Sequence, residues 1–118
     1  MHKIKIADLI GPALDWAAAQ CDHPEQYDYE RGQVWLNAEA GEPFAPSTDW
    51  AQGGPIIKQE RISAEWHAGR NLWRSVPGVA GRVHYGPTPL VAAMRCYVAS
   101  KLGESVEIPC GISNRGAA

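Results

Sequence analysis

A chain of 118 residues that is 45% hydrophobic holds enough apolar material for one globular domain, and a net charge of −2 argues against holding duplex DNA through many phosphates. No apolar run approaches the roughly 18 residues of a membrane span, and MHKIKIADLIGP lacks a secretory core, so a cytoplasmic protein without membrane association is expected. Cys21, Cys96 and Cys110 form no close pair, which disfavours both a disulfide framework and a zinc ribbon and predicts free thiols.

Polar and apolar residues alternate from His2 to Ile6, which predicts a short strand. Gly11 and Pro12 then open a helix, ALDWAAAQC, in which Ile10, Leu14, Ala17, Ala18 and Cys21 share one face. Asp15 suits the positive end of that helix, and Trp16, opposite the small-residue stripe, covers a loop or lines a cleft. The segment from Asp22 to Pro46 is acidic and rich in turn formers. It reads as a long excursion with a hairpin in YDYERGQVWLN, and Tyr27, Tyr29 and Trp35 predict that it folds back on the body.

In APSTDWAQGGPIIKQERI, Ser47 or Thr48 is expected to cap a first turn through Asp49 and Trp50. Gly53, Gly54 and Pro55 then interrupt the pattern, and Pro55 restarts a short helix that carries Ile56, Ile57 and Ile62 inward. The segments ISAEWH and LWRSV alternate around AGRN and predict a hairpin. PGVAG is expected to be a flexible connection, Arg82 to Tyr85 one more strand, and Ser105 to Ile108 a last strand closed by Pro109. From about residue 110 the glycine-rich tail of this single domain, 1–118, is expected to be mobile.

The best-signposted element is the helix within GPTPLVAAMRCYVASKLG. Thr88 can cap it, Pro89 fits the first helical position, and Gly103 ends it after Lys101 and Leu102. Leu90, Val91, Met94, Tyr97, Val98 and Leu102 form a large arc, whereas Ala92, Ala93, Cys96, Ala99 and Ser100 form a small one. The large arc is expected to pack on a sheet. The small arc permits close approach of another helix, from this chain or from a second copy in a homo-oligomer, although an alanine face open to water is the alternative. The fold expected is α+β, a small mostly antiparallel sheet packed against two to three helices.

Charge is unevenly distributed: nine acidic residues lie between Asp8 and Asp49 against Arg31 alone, and seven basic ones between Lys58 and Lys101 against Glu60 and Glu65. The candidate ligand site is the turn of Ser47, Thr48, Asp49, Trp50, Gly53 and Gly54, joined by Arg95. Backbone N–H groups before a helix can hold an anion, and an indole can stack on a base. The competing reading is a capped turn over a buried tryptophan. Arg61, Arg70, Arg74, Arg82 and Arg95, interleaved with Trp66, Trp73 and Tyr85, suit single-stranded nucleic acid, or equally a solvated hairpin face. His23, His67 and His84 do not gather four metal ligands, and no catalytic or cofactor-binding constellation is visible, including at Asp28, Glu30, Ser47 or Cys110.

PSTDWAQGGPII and GPTPLVAAMRCYVASKLGESVEIP, preceded by ALDWAAA, resemble in order and spacing the small phage and prophage proteins of the NinX-like family, over most of Ile4 to Pro109. A looser similarity is to a phage domain built as a three-layer α/β/α sandwich. The resemblance implies a phage origin and action in the cytoplasm of an infected bacterium. With no catalytic constellation in view, the expected role is a non-enzymatic accessory protein that binds a host component; a pocket for a small anionic or nucleotide ligand near Trp50 and single-stranded nucleic-acid binding are the alternatives.

Overall fold

The computed structural model describes residues 2–22, 24–36, 41–78, 81–112 and 114. In chain order these form β1 (His2–Lys5), α1 (Gly11–Gln20), β2 (Tyr27–Glu30), β3 (Gln33–Leu36), β4 (Glu42–Pro43), α2 (Trp50–Glu60), β5 (Ser63–His67), β6 (Leu72–Val76), β7 (His84–Gly86), α3 (Pro89–Leu102) and β8 (Ser105–Ile108). The class is the expected α+β. Its strands fall into three small antiparallel sheets, β1–β8, β2–β3–β4 and β5–β6–β7, rather than the one sheet expected from sequence. Strands of two to five residues, interrupted in the chain by all three helices, pair only with near neighbours or with the opposite terminus, so no continuous sheet layer arises.

α3 is the hub. Thr88 Oγ1 accepts the Val91 N–H at 3.1 Å, Pro89 occupies the first turn, and Gly103 ends the helix at φ 93°. Leu90 to Met94, Cys96, Tyr97 and Val98 are all buried. The assignment of its two faces is the reverse of the expectation. A Cβ on Gly86 of β7 would meet the Ala92 backbone at 2.7 Å, and Cys96 lies against Ser75 of β6, so the small arc receives the β5–β7 sheet. On the large arc, Leu90 reaches α2 at Gly53, and Tyr97 shares a cleft with Ala18 of α1. Glycine, serine and alanine let helix backbone and sheet approach closely, whereas the bulky residues fill the wider space between helices. Ala92, Ala93 and Cys96 of the small arc are therefore covered within the chain, whereas Ala99 is half-buried and Ser100 exposed at its end.

α2 also departs from its expected form. It is one helix running through Gly53, Gly54 and Pro55, and its cap is Asp49, not Ser47 or Thr48. Asp49 Oδ1 accepts the Ala51 N–H at 3.0 Å. Arg61 then closes the helix in the left-handed region (φ 55°), with the Ile62 N–H returning to Ile57 O at 3.0 Å.

The acidic excursion folds back as expected. Arg31 and Gly32, with φ of 54° and 75°, make the two-residue hairpin between β2 and β3, and Tyr27, Val34 and Phe44 pack against Ala19 and Trp16. The middle of PGVAG, Val79 and Ala80, lies outside the described residues, as do most of the residues after Asn114's neighbour Ile112. Asn114 itself returns to the body: it donates to Asp8 O at 2.9 Å and accepts the Ile10 N–H at 2.8 Å.

Candidate functional site

The Ser47–Trp50 turn is locked to the first helix. Asp15 is 4% exposed and Ser47 1%, and the Ser47 N–H donates to Asp15 Oδ1 at 2.9 Å. Burial pushes the Asp15 carboxyl up to about 6, with Ser47 holding it down in part. The Ser47 hydroxyl is buried, and the Thr48 hydroxyl reaches Ala45 O at 3.4 Å. Trp50, the first residue of α2, stays 56% exposed.

Ser47, Thr48 and Trp50 border a cleft of about 370 Å³. Its other walls are Ile10 and Gly11, where α1 begins, and Pro87 to Val91, where α3 begins. All three helices therefore start at one cleft, with their positive dipole ends nearby. Few N–H groups remain for a ligand, however. Pro12 and Pro89 have none, Val91 donates to Thr88 Oγ1, Ala92 to Thr88 O, Ala51 to Asp49, and Ile10 to Asn114. Among the described residues no charged side chain lines the cleft, and its walls are chiefly apolar.

The family profile of NinX from bacteriophage P22 matches residues 5–101. The chain belongs to that NinX family. Comparison with curated proteins finds no match. The matched span takes in the cleft and nearly all of α3, and ends before β8.

In this NinX-family chain, the remaining residues of the expected anion site lie elsewhere. Gly53 sits beneath the turn, where a Cβ would come within 2.5 Å of Pro46 O, and Gly54 faces open space. Asp49 is occupied as a cap. Arg95 does not border the cleft: its Nε donates to Leu9 O at 2.8 Å and its Nη1 to Tyr85 O at 2.7 Å, a structural brace between β7 and the approach to α1. Burial draws its pKa below the ordinary arginine value, against the opposing charge of Asp8.

The arginine and aromatic residues of the NinX-family hairpin do not form one platform either. The register pairs Trp66 with Trp73 and Ala64 with Ser75 on the face turned to α3, and puts Glu65, Arg74 and Tyr85 on the opposite face. Trp66 and Trp73 meet edge to face at 5.6 Å. Behind them Arg70 lies 4.4 Å over Tyr85, and Arg74 pairs with Glu65 at 3.2 Å.

One cluster escaped sequence reading because its members are 8 to 20 residues apart with no motif between them. His84 is held by Glu104 Oε1 at 3.0 Å and Arg82 O at 3.1 Å beside the buried Cys96. It resembles a thiol–imidazole–carboxylate arrangement, but both ring nitrogens are already engaged by oxygens and burial raises the Cys96 pKa, so the thiol has no base. Among the described residues no three His, Cys, Asp or Glu side chains come together as a metal site, and His23 lies outside those residues.

Proposed function

We propose that this NinX-family protein is a non-enzymatic binding module that acts in the cytoplasm of the infected bacterium by capturing an apolar segment of a host protein in the Trp50 cleft. The observation that carries this reading is an indole left 56% exposed at the edge of an uncharged cleft where three helices begin. Leaving a tryptophan in water is unfavourable unless something covers it, and aromatic anchors at apolar clefts are where binding energy concentrates. A volume of about 370 Å³ lies at the lower end of the roughly 300–1,000 Å³ seen for ligand pockets, which suits one or two side chains. The shortage of free N–H groups and the diversion of Arg95 weigh against a phosphate-bearing ligand. Among the described residues no helix is long and apolar enough to cross a membrane.

The test is site-specific photocrosslinking in host lysate, with the photoreactive residue at position 50 or, as control, at Lys101. A single adduct formed at position 50, absent at 101, and competed by unlabelled protein but not by Trp50→Ala, is the expected result. Equal labelling from both positions would overturn the reading. A thermal shift with a mononucleotide that Trp50→Ala abolishes would replace it with the ligand-pocket alternative.

A further inference from the structure

Asp15 carries a buried carboxylate that no opposite charge offsets. It is 4% exposed, and among the described residues no lysine, arginine or histidine pairs with it. The titratable groups of the neighbouring elements act elsewhere: Asp49 caps α2, Arg95 spans Leu9 O and Tyr85 O beside Asp8, and Glu60 pairs with Lys101. Burial therefore pushes the carboxyl up to about 6, and the hydroxyl and N–H of Ser47 hold it down only in part. An asparagine would accept the same N–H without the cost of a charge, so the fold alone does not call for a carboxylate here.

What the charge does is local. Ile10 and Gly11, at the entry to α1, form one wall of the Trp50 cleft, and Asp15 stands one turn further along that helix. Ser47, Thr48 and Trp50 form another wall. Among the described residues the 2.9 Å bond from the Ser47 N–H to Asp15 Oδ1 is the only hydrogen bond between this turn and α1, so one carboxylate joins two walls of the cleft. Otherwise α1 and α2 are held through α3, on which both pack. A bond to an ionised acceptor is roughly twice as strong as one to a neutral acceptor, and the low dielectric that makes the charge costly also strengthens the bond.

We propose that Asp15 is a positioning residue for the Trp50 cleft: its ionised form holds the Ser47 turn in the geometry that captures an apolar segment, and a proton taken up there loosens the turn and weakens capture. The inference rests on the Trp50 cleft being the capture site and adds its regulation. Stability and capture then run in opposite directions with pH. The neutral acid favours the folded chain because it removes a buried charge, whereas the anion favours the ordered turn. At pH 5, one unit below the raised value, about one-tenth of the chains keep Asp15 ionised, so the apparent affinity of the cleft falls about tenfold from its value at neutral pH.

The experiment uses the full chain labelled with 5-fluorotryptophan. Fluorine NMR follows the resonance that disappears in Trp50→Phe from pH 7.5 to 4.5, and the neutral apolar dye N-phenyl-1-naphthylamine is titrated at pH 7 and pH 5. The Trp50 resonance is expected to titrate with a midpoint near pH 6 in the native chain and to stay flat in Asp15→Asn. Dye binding that Trp50→Ala abolishes is expected to weaken about tenfold at pH 5 in the native chain, and to be weak at both pH values in Asp15→Asn. The histidines are the same in both chains, so the difference between them isolates position 15. A Trp50 resonance with the same pH profile in both chains, or equal dye affinity in both at each pH, overturns the coupling and leaves the crosslinking at position 50 untouched. Dye binding that is insensitive to Trp50→Ala overturns the cleft as a capture site, and this inference with it.

Discussion

The Asp15 carboxylate and the Ser47 backbone N–H, 32 residues apart in sequence, meet at 2.9 Å in a buried junction that ties the Trp50 turn to α1. The bond orders the turn, but it keeps a charge out of water. Because burial raises the folded pKa from 3.8 to about 6, the native state holds more protons than the unfolded chain between those two pH values. Stability from this residue is therefore highest at pH 4 or below and is lost as pH rises to 6, amounting to about 3 kcal/mol of destabilisation at neutral pH. Asp15→Asn keeps an acceptor for Ser47 and carries no charge. Its melting temperature is expected to exceed that of the native chain at pH 7, with the gap shrinking as pH falls and closing only below about pH 4. A gap that widens on acidification would contradict the sign.

Adjacent glycines in α2 are expected to respond in opposite ways. A methyl group at Gly53 would sit 2.5 Å from Pro46 O and 2.6 Å from Leu90 Cδ2, and the carbonyl belongs to backbone that Ser47 pins to Asp15. Gly53→Ala is expected to destabilise by about 1–3 kcal/mol through overpacking. Gly54 has open space around it, so Gly54→Ala is expected to stabilise by up to about 1 kcal/mol by reducing the freedom of the unfolded chain. Urea denaturation of both variants checks the pair, and equal effects would show that the turn and α3 are not in contact at Gly53.

How far the sequence could be read depended on the range of the interaction. α3 was legible at both ends because Thr88, Pro89 and Gly103 act within one turn of themselves, and the β2–β3 hairpin because Arg31 and Gly32 adopt their positive φ locally. The direction of α3's faces was not legible, since what decides it is Gly86 and Ser75 arriving from β7 and β6. Gly53, Gly54 and Pro55 weaken a helix locally and so predict a break in α2, whereas the Gly53 contact with Leu90 and the Asp49 cap hold it whole. In the candidate site the polar turn was visible, but its fixed point was not. Asp15 looked like an ordinary first-turn acid, and only the fold brings Ser47 to it.

Asn114 is expected to act as a clasp for the entry to α1. Its side chain satisfies both Ile10 N–H and Asp8 O, two backbone groups on either side of Leu9, where the chain enters the Trp50 cleft at Ile10. Asn114→Ala removes both bonds and is expected to lower stability by about 1–2 kcal/mol. Amide hydrogen exchange at Ile10 is expected to accelerate in this variant while exchange in the middle of α3 stays near its native rate. Uniform acceleration across both would mean that the clasp contributes only to global stability.

Arg95 separates a structural guanidinium from a ligand-binding one. It spans 86 residues of sequence to reach Leu9 O and also holds Tyr85 O, and two charge-assisted bonds to half-buried carbonyls are worth more than neutral ones. Arg95→Met retains the aliphatic stem but leaves both carbonyls without their donor, so a loss of about 2–3 kcal/mol is expected in chemical denaturation. Arg95→Lys restores the charge but not the fork that reaches two carbonyls, and is expected to recover less than half of that loss. If Arg95 instead served an anion at Trp50, Arg95→Met would leave stability near the native value and would abolish a phosphate-dependent rise in melting temperature. The geometry predicts the opposite on both counts: a large fall in stability, and no phosphate effect in the native chain for the variant to remove.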